Sequence, residues 1–183
     1  MAGQTLVNGV AVDQLREKAA TLKQNPELAC FRFRVHNRWI DGGHSQTIVE
    51  DFHAVGEPQR HSQEFTLEAD EPPVLLGQDA APNPVEHLQN ALVTCLTGSM
   101  VYHAALRGVR ISEIWSTVEG DLDVRGFMGL DPNVRKGYEN IRVSFRVRSD
   151  APSEKLEECA RFSPVLDVMS NDTKIDLQVE TVR

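Results

Sequence analysis

An α+β domain, with a long central helix packed on antiparallel sheets, is the fold class this sequence predicts, and three observations carry it. Short alternating segments fill residues 31–67, and an apolar helix with clear end signals occupies 84–107. The remainder reads as a strand pair, a helix and a final strand.

The elements follow in order. Residues 10–23 set Val12, Leu15, Ala19 and Leu22 on one helical face, and Asn25-Pro26 ends that helix. Phe31, Phe33 and Val35 then alternate with Arg32, Arg34 and His36, as on a half-buried strand. Gly42-Gly43 marks a turn, and residues 47–52 and 64–67 read as further strands. Residues 70–84 hold four prolines and read as an extended crossing loop. At the central helix Asn83 is a good N-cap, Pro84 suits the first helical position, and Glu86 completes a capping-box pattern. Gly108 stops it near residue 107.

Residues 111–124 alternate in part. A connection containing Gly126, Gly129 and Gly137 leads to a clear strand of Ile141, Val143, Phe145 and Val147. Arg142, Arg146 and Arg148 form the wet face of that strand, placed to pair with the acidic residues 119, 121 and 123 across a hairpin. Residues 153–162 are a second helix; Ser163-Pro164 breaks it and caps a short third one through Met169. The tail, 175–180, alternates strictly and reads as the last strand. No internal repeat or low-complexity segment is visible.

The totals narrow the function. The 183 residues suit one domain with an appended element, long enough to bury a sizeable core. With 27 acidic and 19 basic residues the chain carries a formal charge of −8, which argues against a nucleic-acid partner. Cys30, Cys95 and Cys159 are odd in number and far apart, a poor disulfide framework that suits a reducing cytoplasm. The N-terminus lacks an apolar run after a basic start, so no signal peptide is expected. The apolar stretch 91–106 is interrupted by Thr94, Thr97, Ser99, Tyr102 and His103 and reads as a core helix, not a membrane span. A soluble cytoplasmic protein is the expectation.

Three separated motifs then fall in a telling order. The run from Asn83 to Thr97, the phrase Val118-Glu119-Gly120-Asp121-Leu122-Asp123, and Ser163-Pro164-Val165 together resemble the OsmC/Ohr family. The resemblance covers roughly residues 30–180. It divides the chain into an N-terminal helical extension, 1–29, and an OsmC-like domain, 30–183. It implies an intertwined α+β homodimer with its sites at the subunit interface. It also implies a thiol peroxidase that reduces organic hydroperoxides with two cysteines, one on the central helix and one before the later Pro-Val. Cys95 stands at the first of these positions. Ser163 stands at the second, as in a branch of the family without that cysteine. Val85 replaces the acidic residue expected after Asn-Pro, with Glu86 one position later. The stretch expected to supply a supporting arginine reads Pro73-Val74-Leu75-Leu76-Gly77.

Cys95 is either inert filling or a nucleophile, because a peroxidatic cysteine needs a stabilised thiolate. It lies about 18 Å along its helix, beyond direct help from the N-terminal dipole. Help would come from elsewhere in the dimer, with Arg38, Arg60 and His61 as candidates. A serine oxygen at 163 cannot resolve a sulfenic acid into a disulfide, and an N-cap explains Ser163 completely. Cys159 lies one turn earlier and could substitute only if its helix shifts; a small apolar core residue is the plainer reading. Cys30 has no functional reading. Glu86 reads as a cap, on the opposite side of the helix from Cys95. His87, Cys95 and His103 follow at intervals of eight residues, about 12 Å each, too far apart to share one zinc, so no metal is expected. His44, after Asp41-Gly42-Gly43 and near Arg38 and Trp39, either lines a pocket or ends a solvated hairpin.

Two functions remain. In one, Cys95 reduces a hydroperoxide without a cofactor and an external thiol reductant restores it. In the other, Val85 and Leu75 line the old site with hydrocarbon, and the dimer-interface pocket holds a small apolar ligand.

Overall fold

The computed structural model describes residues 6–182. A two-stranded hairpin, β1 (Leu6–Val7) and β2 (Val10–Ala11), leads into α1 (Val12–Gln24), whose Val12 is buried. Arg16 of α1 donates to the Leu106 carbonyl, 3.2 Å, so the extension rests on the end of the central helix. Strands β3 (Val35–Asp41), β4 (His44–Val49) and β7 (Phe65–Ala69) form an antiparallel sheet with β4 in the middle. A small ribbon, β5 (Phe52–Ala54) and β6 (Glu57–Gln59), stands beside it. The central helix α2 (Pro84–Leu106) follows, then the long antiparallel ribbon β8 (Ile111–Asp121) and β9 (Asn140–Ser149), with the short helix α3 (Val124–Phe127) between them. Helices α4 (Ser153–Ala160) and α5 (Pro164–Ser170) complete the α+β fold.

The core forms where apolar rows meet. Leu92, Leu96, Met100 and Ala104 repeat every fourth residue, so α2 presents one buried row to α4, α5 and the inner face of β8–β9. Strand β9 alternates as expected, with Ile141, Val143, Phe145 and Val147 inward. Leu156 and Cys159 of α4 close the same cluster. Among the described residues, none between 31 and 69 belongs to it. No helix of the described residues is long and apolar enough to cross a membrane.

Two expected strands differ. The strand expected from Phe31 begins instead at Val35, and Arg32 makes only an isolated bridge to His53. The alternating phenylalanines there do not face a core. Phe31, Phe33, Phe52, His61 and Phe65 stack in one row, consecutive ring centroids 5.1–6.3 Å apart, and Phe31 and Phe33 stay exposed. Such a row mimics the period of a half-buried strand. The tail is the second difference: residues 175–180 keep their alternation but form no strand and pair with none among the described residues, and Ile175, Leu177 and Val179 are 83–85% exposed.

The arginine face of β9 is largely as the spacing predicts. Arg142 pairs with Asp121 and Glu119, and Arg148 with Glu113 at 3.0 Å. Asp123 instead pairs with Arg125, which it also caps at the start of α3.

Candidate functional site

The first turn of α2 is fixed from three sides. The capping box is complete: the Glu86 N–H donates to Asn83 Oδ1 at 2.9 Å, and the Asn83 N–H to Glu86 Oε2 at 2.8 Å. Pro84 occupies the first helical position. The Tyr138 hydroxyl donates to the Val85 carbonyl at 3.1 Å, and His87 Nε2 donates to the Glu68 carbonyl at 2.8 Å. Burial, with Glu86 nearby, holds the Tyr138 phenol above its ordinary pKa, which keeps it a donor. Its ring lies on Gly120, where a Cβ would come within 2.5 Å of it, so a side chain at 120 would expel the ring.

Asp70 fixes the other wall. It directly follows β7, is 1% exposed, and accepts the backbone N–H groups of Glu71, Gln78 and Ala80 at 2.8, 3.1 and 3.1 Å. One carboxylate thereby gathers the loop carrying Pro73–Leu75, a short 3-10 turn. Leu75 is half-buried in that turn, while Val74 and Leu76 beside it stay exposed. The Ala80 N–H, ahead of those of Glu71 and Gln78, holds the Asp70 carboxyl below its usual range. A depressed folded-state pKa stabilises the fold above the ordinary aspartate range, and that stability is lost as pH falls through the folded value. Asp70→Asn is therefore expected to melt earlier than the parent at pH 7, with the gap narrowing on acidification. Thermal melts from pH 7 to pH 3 check this; a gap that stays constant would refute it.

Cys95 sits one position from buried Leu96, on the flank of the core row. It is a half-buried free thiol, Cys159 is fully buried, and Cys30 is exposed. Ala91, Gly98 and Ser99, also half-buried, continue the Cys95 flank one turn to either side. Ser163 is buried, and its hydroxyl accepts the Leu166 N–H at 3.1 Å as the N-cap of α5. Cys159 lies in the core cluster with Leu92 and Leu96.

The remaining candidates have partners of their own. The Glu86 carboxylate is held in the cap. Arg38 donates twice to Gln46 Oε1, at 3.0 and 2.7 Å. Gln46 and His44 both bond the Glu68 carboxylate, at 2.6 and 2.8 Å, and together they hold it below its usual range. This polar row crosses all three strands of the N-terminal sheet. His61 lies between the rings of Phe52 and Phe65, and Arg60 pairs with Asp51 at 3.5 Å. His103 stacks on Phe162 with centroids 3.9 Å apart, and burial, then Arg107, lowers its pKa. Among the described residues no group of three or more His, Cys, Asp or Glu could hold a metal ion.

Sequence reasoning missed Tyr138 and the anchoring carboxylate of Asp70. The only local signals were an aromatic residue inside a glycine-containing connection and an aspartate where a strand meets a proline-rich loop.

The OsmC family model, described as OsmC-like protein, matches residues 77–178. A solved OsmC like protein from Mycoplasma pneumoniae has a TM-score of 0.55 at 12% identity, covering 76% of this chain and 87% of that one. An OsmC-like protein of unknown function from Vibrio cholerae has a TM-score of 0.51 at 13% identity, covering 78% and 94% respectively. At such identities the likeness shows the shared fold. No curated protein matches the chain.

Proposed function

Since the chain belongs to the OsmC-like protein family, we propose that it reduces organic hydroperoxides through Cys95, as a cytoplasmic homodimer served by an external thiol. In this reading residues 1–29 extend a catalytic domain of residues 30–183. One observation supports the one-cysteine form: Cys95 is the half-buried thiol off the core row, while Cys159 is sealed in the core and Ser163 is engaged as a cap. Val85, Leu75 and the α2 flank offer hydrocarbon to the organic part of a substrate. Arg38 and His61 would act on the thiolate from the partner subunit.

The cycle balances with one protein sulfur. The Cys95 thiolate attacks the distal oxygen, the O–O bond breaks, and the alkoxide leaves as an alcohol after taking a proton from solvent. The cysteine is now a sulfenic acid. A thiol attacks its sulfur, releasing water and forming a mixed disulfide, and a second thiol releases a disulfide and restores Cys95.

The test is single-turnover reaction of the reduced protein with cumene hydroperoxide, with dimedone to trap the sulfenic acid. Peroxide loss and labelling are expected at Cys95 and absent in Cys95→Ser. Equal consumption by the variant would sink the reading. It would leave the family fold as a binder of a small apolar molecule, which native mass spectrometry of the purified protein would detect.

A further inference from the structure

We propose that the loop 124–136, between β8 and β9, is a knuckle that seats the protein on an anionic lipid surface without crossing it. The proposal goes beyond hydroperoxide reduction and does not depend on Cys95.

The loop carries bulky hydrocarbon on its outside. Val124, Phe127, Met128 and Leu130, four of seven consecutive residues, are 40–68% exposed. Exposed apolar side chains gathered in one patch mark a contact surface. The backbone fixes them there: the Met128 and Leu130 N–H groups donate to the Val124 and Arg125 carbonyls, each at 2.9 Å. The Glu139 N–H donates to the Asp121 carbonyl at 2.8 Å and closes the base of the loop. Tyr138 ties the returning arm to Val85 of α2. A loop already ordered loses little entropy on docking.

Cations rim this hydrocarbon. A Cβ on Gly126 would lie 2.2 Å from the Arg135 carbonyl oxygen, so the returning arm lies against the start of the apolar run. That contact brings Arg135 and Lys136 back beside it, both exposed and neither with a carboxylate partner among the described residues. Asp131, the one acid within 124–136, accepts the Asn133 N–H at 2.9 Å. Arg125, Arg135 and Lys136 against Asp131 leave the loop formally +2 in a chain of −8.

Hydrocarbon ringed by unpaired cations fits a lipid interface. Phenylalanine, methionine and leucine enter the headgroup–acyl boundary, about 5–10 Å deep, while arginine and lysine stay at the phosphates. A protein partner of ordinary size needs about 800 Å² per side, more than four side chains on a short loop offer. The acidic remainder of the chain is repelled by the same surface, so the knuckle faces it and the body stays in water.

The experiment is flotation of the full-length protein with vesicles of phosphatidylglycerol and phosphatidylcholine in equal parts, and of phosphatidylcholine alone. Binding is expected to the first and not the second, with release at about 1 M salt, where the Debye length is about 3 Å. Phe127→Ser with Leu130→Ser, and Arg135→Gln with Lys136→Gln, should each weaken binding at least about tenfold. Both pairs lie on the surface, so melting without vesicles should match the parent. A second measurement does not need those variants to fold. An environment-sensitive dye on Leu130→Cys, in a Cys30→Ser, Cys95→Ser background, should brighten on binding. The same dye on Glu154→Cys, beyond the far end of β9, should not. A parent that does not float, flotation unchanged by both pairs, or a dye at 130 that stays dim in floated protein would each overturn the proposal. A parent that does not float, yet self-associates less with Phe127→Ser and Leu130→Ser, would assign the apolar tip to a contact between copies instead.

Discussion

Gly77→Ala is expected to destabilise the fold by about 3 kcal/mol, at the upper end of what overpacking costs. A Cβ at residue 77 would lie 1.8 Å from the Glu71 carbonyl oxygen and 2.3 Å from its carbon. These are backbone atoms and cannot turn aside as a flexible side chain would. The Glu71 carbonyl is also engaged, accepting the Asp79 N–H at 3.1 Å. Relief would pull Gln78 and Ala80 away from the Asp70 carboxylate, so the clash and the loss of buried hydrogen bonds arrive together. Chemical denaturation of the two proteins measures it. A shift below about 1 kcal/mol would mean that the loop opens freely and does not hold Leu75 in place.

Leu96→Ala should cost about as much, roughly 3 kcal/mol, because Leu96 is buried among α2, α4 and the β8–β9 ribbon. The informative comparison is its neighbour. Cys95→Ala, one position round the helix on a half-exposed flank, should change stability by less than about 1 kcal/mol. Equal costs would make the Cys95 thiol core filling. A large cost at 96 with little at 95 would leave the thiol free to be selected for chemistry. Denaturant midpoints at constant slope give both values.

Much of this was legible in the sequence, and the reason is locality. Asn83, Pro84 and Glu86 act within one turn, so the start of α2 could be read directly and is found as read. Ser163 and Pro164 start α5 in the same way, and the two-residue period of β9 reports its buried face. What stayed hidden depends on distant chain. Asp70 reaches residues up to ten positions away, and Tyr138 meets Val85 across 53 residues. The phenylalanines from 31 to 65 carry the period of a strand, yet their rings stack on one another and not on a core. The tail alternates like a strand, but among the described residues it pairs with none, because alternation alone does not supply a partner. For the candidate site, the thiol could be named from its position, whereas its surroundings depend on contacts between remote segments.

The absence of residues 31–69 from the main apolar cluster bears on how the molecule comes apart. The sheet β3–β4–β7 meets the start of α2 through a hydrogen bond from His87 and a loop gathered by Asp70, not through shared hydrocarbon. Polar links transmit little cooperativity, so two opening free energies instead of one are expected. The sheet can exchange its amides while α2 stays closed. A single melting temperature would then describe only the helical half.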